Sequence, residues 1–209
     1  HGNRSISSRS GSADVLKALG VNVEADPETV GRCLDDVGIG FLFAISLHGA
    51  MKHAIGPRRE LGVRTIFNAL GPLTNPAGAT RQVIGVYSPD LTEPLATVLG
   101  GLGAEHAFIV HGSDGLDEVT TTGKTRVSEL KDGTVTTYEV APGELGIDVA
   151  DGDDLAGGDA ELNARLLRSV LDGEPGPRRN VVVMNAAFAL VAGGLAGDLK
   201  AGVALAEET

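Results

Sequence analysis

Tryptophan is absent, and the chain of 209 residues has one cysteine, two tyrosines and five phenylalanines. The lone Cys33 excludes an intrachain disulfide and a cysteine-based zinc site, and its place in a helical pattern reads as a buried small hydrophobe. With so few aromatic residues, and no stripe that interleaves them with basic ones, a stacking surface for nucleic acid is not expected. Long apolar runs are missing as well. The longest, Val181 to Ala192, is interrupted by Asn185 and lies between glycine-rich stretches, so no membrane-spanning segment is expected. No basic leader followed by an apolar segment opens the sequence, which makes a cytoplasmic location the expectation. Neither GxSxG, GxxxxGK[ST] nor GxGxxG occurs, which removes the hydrolase elbow and the common nucleotide-binding loops.

Glycine, by contrast, is abundant at 30 residues, as expected of an α/β protein with many tight turns and close backbone approaches. Charge is uneven. Residues 1–81 carry nine Lys or Arg against seven Asp or Glu, whereas residues 82–209 carry eight against twenty-one, giving a net charge of -11. A phosphate-rich ligand would prefer the first third unless a metal bridges it to carboxylates in the rest.

Periodicity and end signals divide the chain into elements. Val15, Leu16 and Leu19 predict a helix capped by Ser12 and closed at Gly20. Asp26 as N-cap, Pro27, and apolar Val30, Cys33, Leu34 and Val37 predict a second helix, ending at Gly38. Ile39 to Ile45 fits a strand or a helix lead-in, and Leu47 to Ile55 a short helix. Arg81 to Ser88 and Ala104 to Gly112 read as strands around a helix that runs to Leu102, with Asp90 and Glu93 as its capping box. Thr120 to Glu129 and Thr134 to Val140 predict an antiparallel pair about Lys131-Asp132-Gly133. After an acidic, irregular stretch from Pro142 to Asp159, helices are expected at Ala160–Leu171, Asn180–Ala192 and Leu199–Glu208. The fold class is therefore α/β: a central, mostly parallel sheet flanked by helices, with a helical carboxy-terminal region.

Three groups of residues could carry chemistry. HGNRSISS, His1 to Ser8, concentrates an imidazole, an amide, a guanidinium and three hydroxyls, and leads into the helix start at Ser12. Such a segment suits an oxygen-rich anion, or is simply a solvated loop. GPRRELGVRTIFNALGPLTNPAG places Arg58, Arg59 and Arg64 before a Gly/Pro/Asn-rich turn; an arginine fork matches a carboxylate or a phosphate. Asp114, Asp117 and Glu118 follow the strand ending near His111, at the end of the sheet where open α/β folds place ligands. Adjacent carboxylates there can reach Mg²⁺, or form an acidic solvated turn. His48, in SLHGAMKH, fits a packed histidine as well as a catalytic one.

The stretches HGNRSISSRSGSADVLKALG (1–20), RRELGVRTIFNALGPLTNPAG (58–78), DGLDEVTTTG (114–123) and LAGGDAELNA (155–164) resemble the anthranilate phosphoribosyltransferase family, in that family's order. The resemblance covers essentially the whole chain. It implies a nucleoside phosphorylase-like fold, with residues 1–209 forming the large α/β domain and lacking the upstream glycine-rich loop and amino-terminal helical region. It also implies a homodimer that transfers phosphoribose to anthranilate with Mg²⁺.

By the same resemblance His1, Gly2, Asn3, Arg4, Ser5, Ile6, Ser7, Ser8 and Ser12 would line the phosphoribosyl diphosphate site. Asn3, His48, Arg58 and Gly71 would lie along the anthranilate path, and Asp117 and Glu118 would bind the metal. The chain departs from the family pattern at Ile45 and Gly49, where prolines are usual, and at Leu162, where a glutamate is common. The rival readings are a nucleoside phosphorylase or a phosphoribosyltransferase for another base, and a non-catalytic derivative of the fold that binds ligand or nucleic acid.

Overall fold

The computed structural model describes Gly2, residues 10–47 and residues 67–209. The chain divides into two compact units, one of His1–Ala77 with Gly157–Ser169, the other of Gly78–Ala156 with Val170–Thr209.

In the first unit, α1 spans Ser12–Ala18 and α2 Pro27–Val37. The start of α2 follows the expectation. Asp26 is extended, its carboxylate accepts from the Thr29 amide at 2.9 Å and the Thr29 hydroxyl at 3.0 Å, and Pro27 occupies the first helical position. Gly38, at φ 84°, closes the helix. Cys33 is only half-buried, which corrects the expectation. The chain returns across α2 at Gly40, against Val30 and Leu34, so the stripe is covered at Val30, while Val37, about two turns further on, is 71% exposed.

The N-cap of α1 is Gly11 and not Ser12. The Gly11 amide donates to the Asp14 carboxylate at 2.9 Å, a local partner that a serine cap one residue later would not supply. Ile39–Ile45 forms no strand beyond one parallel bridge between Gly2 and Phe43, after which α3 runs from Ala44 to Leu47. Further on, α4 comprises Phe67–Leu73.

The second unit contains a four-stranded sheet in the order β1-β2-β3-β4, made of Arg81–Gly85, His106–Gly112, Thr125–Lys131 and Thr134–Val140. Helix α5, Thr92–Gly101, carries the chain from β1 to a parallel β2, so the expected βαβ unit is present. The other two pairings are antiparallel. Among the described residues the sheet is thus mixed and not mostly parallel. Only β1 and β2 have a crossover helix between them. β3 returns through the loop of residues 113–124 and β4 by a short turn that sets Asp132 and Gly133 at φ 50° and 77°, as a tight hairpin requires.

The Asp90–Glu93 capping box does not form. A single 3₁₀ turn, Pro89–Leu91, delivers the chain already wound, and the Thr92 hydroxyl donates back to the Pro89 carbonyl at 2.9 Å. The third strand starts at Thr125 and not Thr120, because Thr120 and Thr122 are engaged by Asp114.

Three helices close the chain: α6, Ala160–Leu171; α7, Pro177–Ala192; and α8, Leu199–Glu208. Phe108, Val110, Val127 and Val140 of the sheet meet Val183, Met184, Ala187, Phe188 and Val191 of α7. Alternation along the strands turns Ala107, Ile109 and Leu130 to the opposite face, where α5 lies against β2 and β3. The sheet of this unit is thereby covered on both faces.

Candidate functional site

The acidic loop leaves β2 at the same end as the carboxyl end of β1, since the two strands are parallel. Its backbone is bound on several sides. The Gly112 amide donates to the Leu116 carbonyl at 2.8 Å and the Ser113 amide to the Lys124 carbonyl at 2.8 Å, while Gly115 sits at φ 91°. Asp117 crosses directly over Gly85 at the end of β1, where any Cβ would fall on the Asp117 carbonyl oxygen. Only glycine permits that approach.

Asp114 braces the loop from within. One carboxylate oxygen accepts from the hydroxyls of Thr120 and Thr122 at 2.5 and 2.6 Å, and the other accepts from the Leu116 amide at 3.1 Å. Desolvation pushes the Asp114 pKa up, but these hydrogen bonds outweigh it and leave the carboxyl below its ordinary value. Asp114 therefore serves inside the loop and is set apart from Asp117 and Glu118.

The residue after Glu118 is held from α7. The Val119 amide donates to Asn185 Oδ1 at 3.1 Å, and Asn185 Nδ2 donates to the Val119 carbonyl at 2.7 Å and to the Val181 carbonyl at 2.9 Å. Val119 and Thr120 are fully buried, whereas Asp117 and Glu118 are exposed. Although much of Glu118 reaches solvent, desolvation of its carboxyl, followed by the Asp117 charge, raises its pKa. Two adjacent carboxylates, one disfavoured as an anion by its surroundings and its neighbour, gain by sharing a hard cation.

This donor set fits Mg²⁺, which takes one or two carboxylates together with water and substrate phosphates. Among the described residues no group of three or more His, Cys, Asp or Glu side chains comes together. With two carboxylates supplied by the pair, the remaining positions on Mg²⁺ fall to water or to oxygens of a ligand. A shallow cleft of about 580 Å³ on α5 and β3, lined by Asp90, Glu93, Pro94, Thr97 and Arg126, contains neither acid of the pair.

Of the other expected site residues, Gly2 and Ser12 lie together in the first unit. The Gly2 amide donates to the Leu42 carbonyl at 3.1 Å, and its carbonyl accepts from the Ala44 amide at 2.9 Å. A Cβ at Gly2 would come within 2.5 Å of the Ser12 hydroxyl oxygen. Ser10 is tied to the LAGGDAELNA stretch: Asn163 Nδ2 donates to the Ser10 hydroxyl at 2.8 Å, and Asn163 Oδ1 accepts from the Gly158 amide at 2.8 Å. Gly71 lies within α4, with nothing among the described residues within 4 Å of where a Cβ would project. At the departure site Leu162, the amide donates to the Asp159 carboxylate at 2.8 Å. The expectations for His1, Asn3, Arg4, Ser5, Ile6, Ser7, Ser8, His48, Gly49, Arg58, Arg59 and Arg64 fall outside the described residues.

Sequence reasoning passed over Asn185, although the one polar residue in the longest apolar run was its signal. Threonines 120–122, which the sequence places at the start of a strand, instead include two that bind Asp114.

Known proteins agree with the architecture. Residues 1–209 match the model of the "Glycosyl transferase family, a/b domain". The anthranilate phosphoribosyltransferase of Moorella thermoacetica is 58% identical over 209 residues, covering all of this chain and 62% of that protein. The crystal structure of anthranilate phosphoribosyltransferase from Thermus thermophilus superposes with a TM-score of 0.92 at 49% identity, covering 100% of this chain and 62% of that one. The Saccharomyces cerevisiae anthranilate phosphoribosyltransferase in complex with PRPP and Mg gives a TM-score of 0.87 at 30% identity, covering 100% and 59%. The chain thus spans about three fifths of the length of the relatives it matches. With a matched sequence and a matched fold along its whole length, the chain belongs to the glycosyl transferase family and represents its a/b domain.

Proposed function

We propose that this chain is the large α/β domain of an anthranilate phosphoribosyltransferase, which transfers phosphoribose from phosphoribosyl diphosphate to anthranilate. The observation that carries the reading is similarity along the whole of this chain to about three fifths of enzymes of that name, at 58% identity in the first case. The exposed Asp117–Glu118 pair at the carboxyl ends of two parallel strands supports it.

In the reaction the anthranilate nitrogen lone pair forms a bond to C1 of the ribose. The C1–oxygen bond breaks, its electron pair leaves on diphosphate, and the nitrogen gives up a proton to solvent. An aromatic amine is neutral near pH 7 and needs no strong base. His1 to Ser8, with Ser12, supply donors to the phosphoribosyl diphosphate oxygens. Asn3 and Arg58 orient anthranilate, with His48 and Gly71 along its path. Asp117 and Glu118 would hold Mg²⁺, which when bound would supply charge neutralisation worth most as the leaving group gains charge. The whole enzyme acts as a cytoplasmic homodimer in this reading, an assembly that light scattering measures directly.

Calorimetric titration of phosphoribosyl diphosphate, with and without Mg²⁺, tests the assignment against Asp117→Ala/Glu118→Ala. Metal-dependent binding lost in the double variant is expected; equal binding by both proteins contradicts the metal assignment. Anthranilate and nucleobases compared as acceptors test the substrate, and faster turnover with a nucleobase overturns it.

A further inference from the structure

The geometry points to Asn185 as a positioning residue for the acidic pair, an inference that rests on the metal-binding reading of Asp117 and Glu118. Val119 directly follows Glu118, and Asn185 takes both polar groups of its backbone: the amide at 3.1 Å and the carbonyl at 2.7 Å. A side-chain amide offers an acceptor and a donor in one plane, and so pairs with an extended residue as a neighbouring strand would. Neither a carboxylate nor an aliphatic side chain can do both.

The anchor is itself fixed. Asn185 donates a second time, to Val181 one turn earlier on α7, and its helix neighbours Val183, Met184, Ala187 and Phe188 are buried against the sheet. The Glu118–Val119 peptide is therefore referenced to the packed core of the second unit. On the other side Asp117 is seated over Gly85. Two exposed carboxylates are thereby carried on a backbone fixed at both ends, while their side chains stay accessible. A polar side chain in an apolar run is costly unless it serves such a purpose.

The test follows Mn²⁺ alone, titrated into the chain and read by electron paramagnetic resonance of the free ion. Asp117→Ala/Glu118→Ala defines the background from other carboxylates. Asn185→Leu, and separately the isosteric Asn185→Asp, are compared with Val183→Ala, a core truncation on the same helix. Loss of an outer-shell partner typically weakens metal binding about 10–100-fold. Both Asn185 variants are expected to weaken the Asp117/Glu118-dependent site at least tenfold, and Val183→Ala less than twofold.

In the Asp117→Ala/Glu118→Ala background, changing Asn185 is expected to add nothing. Wild-type affinity in a folded Asn185 variant overturns the inference and leaves the acidic pair standing. Equal loss in Val183→Ala also overturns it, by reducing Asn185 to a contributor to stability. Mn²⁺ binding that is undiminished by removal of both acids overturns the underlying reading, and the inference with it.

Discussion

At Thr121 the chain keeps a fully buried hydroxyl for which there is no hydrogen-bond partner among the described residues. Its neighbours Thr120 and Thr122 both donate to Asp114, so three like residues in a row have different surroundings. Leaving such a hydroxyl unpaired costs about 1–3 kcal/mol, and an apolar group of the same shape removes that cost. Thr121→Val is expected to stabilise the chain by about 1 kcal/mol in urea unfolding; a loss of stability would reveal a partner for the hydroxyl. Asp114 behaves differently. Its folded pKa lies below the ordinary carboxylate value, so its contribution is fully present above the unfolded value of 3.8 and is lost as pH falls through the lower folded value. The loop should hold at pH 5 and loosen only in stronger acid, as followed by the amide resonances of residues 114–122. Asp114→Asn should loosen it at neutral pH and abolish that acid step.

Among the elements, α7 contributes most to the core of the second unit. Phe188 is fully buried, with its ring edge-on to Phe108 at 5.1 Å between centroids. Phe188→Ala should cost about 3–5 kcal/mol, measured by chemical unfolding, with loss of protection in β2 and α7 together. The helices show how far sequence reaches. Asp26, Pro27 and Gly38 define α2 because capping is local chemistry, and the spans of α6 and α8 follow from periodicity for the same reason. The start of α5 and the start of β3 escape such reading. One is wound by a preceding 3₁₀ turn, and the other is delayed by threonines that bind an aspartate six and eight residues earlier. Cys33 and Val37 fit an apolar stripe, yet whether a stripe is covered depends on where the chain returns, here at Gly40. The acidic pair was visible as two adjacent carboxylates after a strand. Its anchor on Asn185, 66 residues away, depends on tertiary contact.

For the whole molecule, the charge distribution sets the response to ions. Residues 82–209, which include the acidic pair, hold twenty-one acidic against eight basic residues, and the net charge of the chain is -11. Self-repulsion on that scale weakens the folded state, and salt screens it over a Debye length of about 10 Å at 0.1 M. Any salt should therefore raise the melting temperature of this chain as ionic strength rises, irrespective of which cation is present. A cation held by Asp117 and Glu118 adds a separate term, because it binds the folded loop and has no such site in the unfolded chain. That term grows with the logarithm of concentration and reaches about 1.4 kcal/mol at ten times the dissociation constant. Melting curves in MgCl₂ and NaCl at equal ionic strength separate the two contributions. The wild-type chain should gain more from MgCl₂, and Asp117→Ala/Glu118→Ala should respond to both salts alike while melting higher than wild type in low salt, having shed two negative charges. Identical wild-type responses to the two salts would reduce the acidic pair to part of the general field, and so remove the physical basis for assigning it the metal.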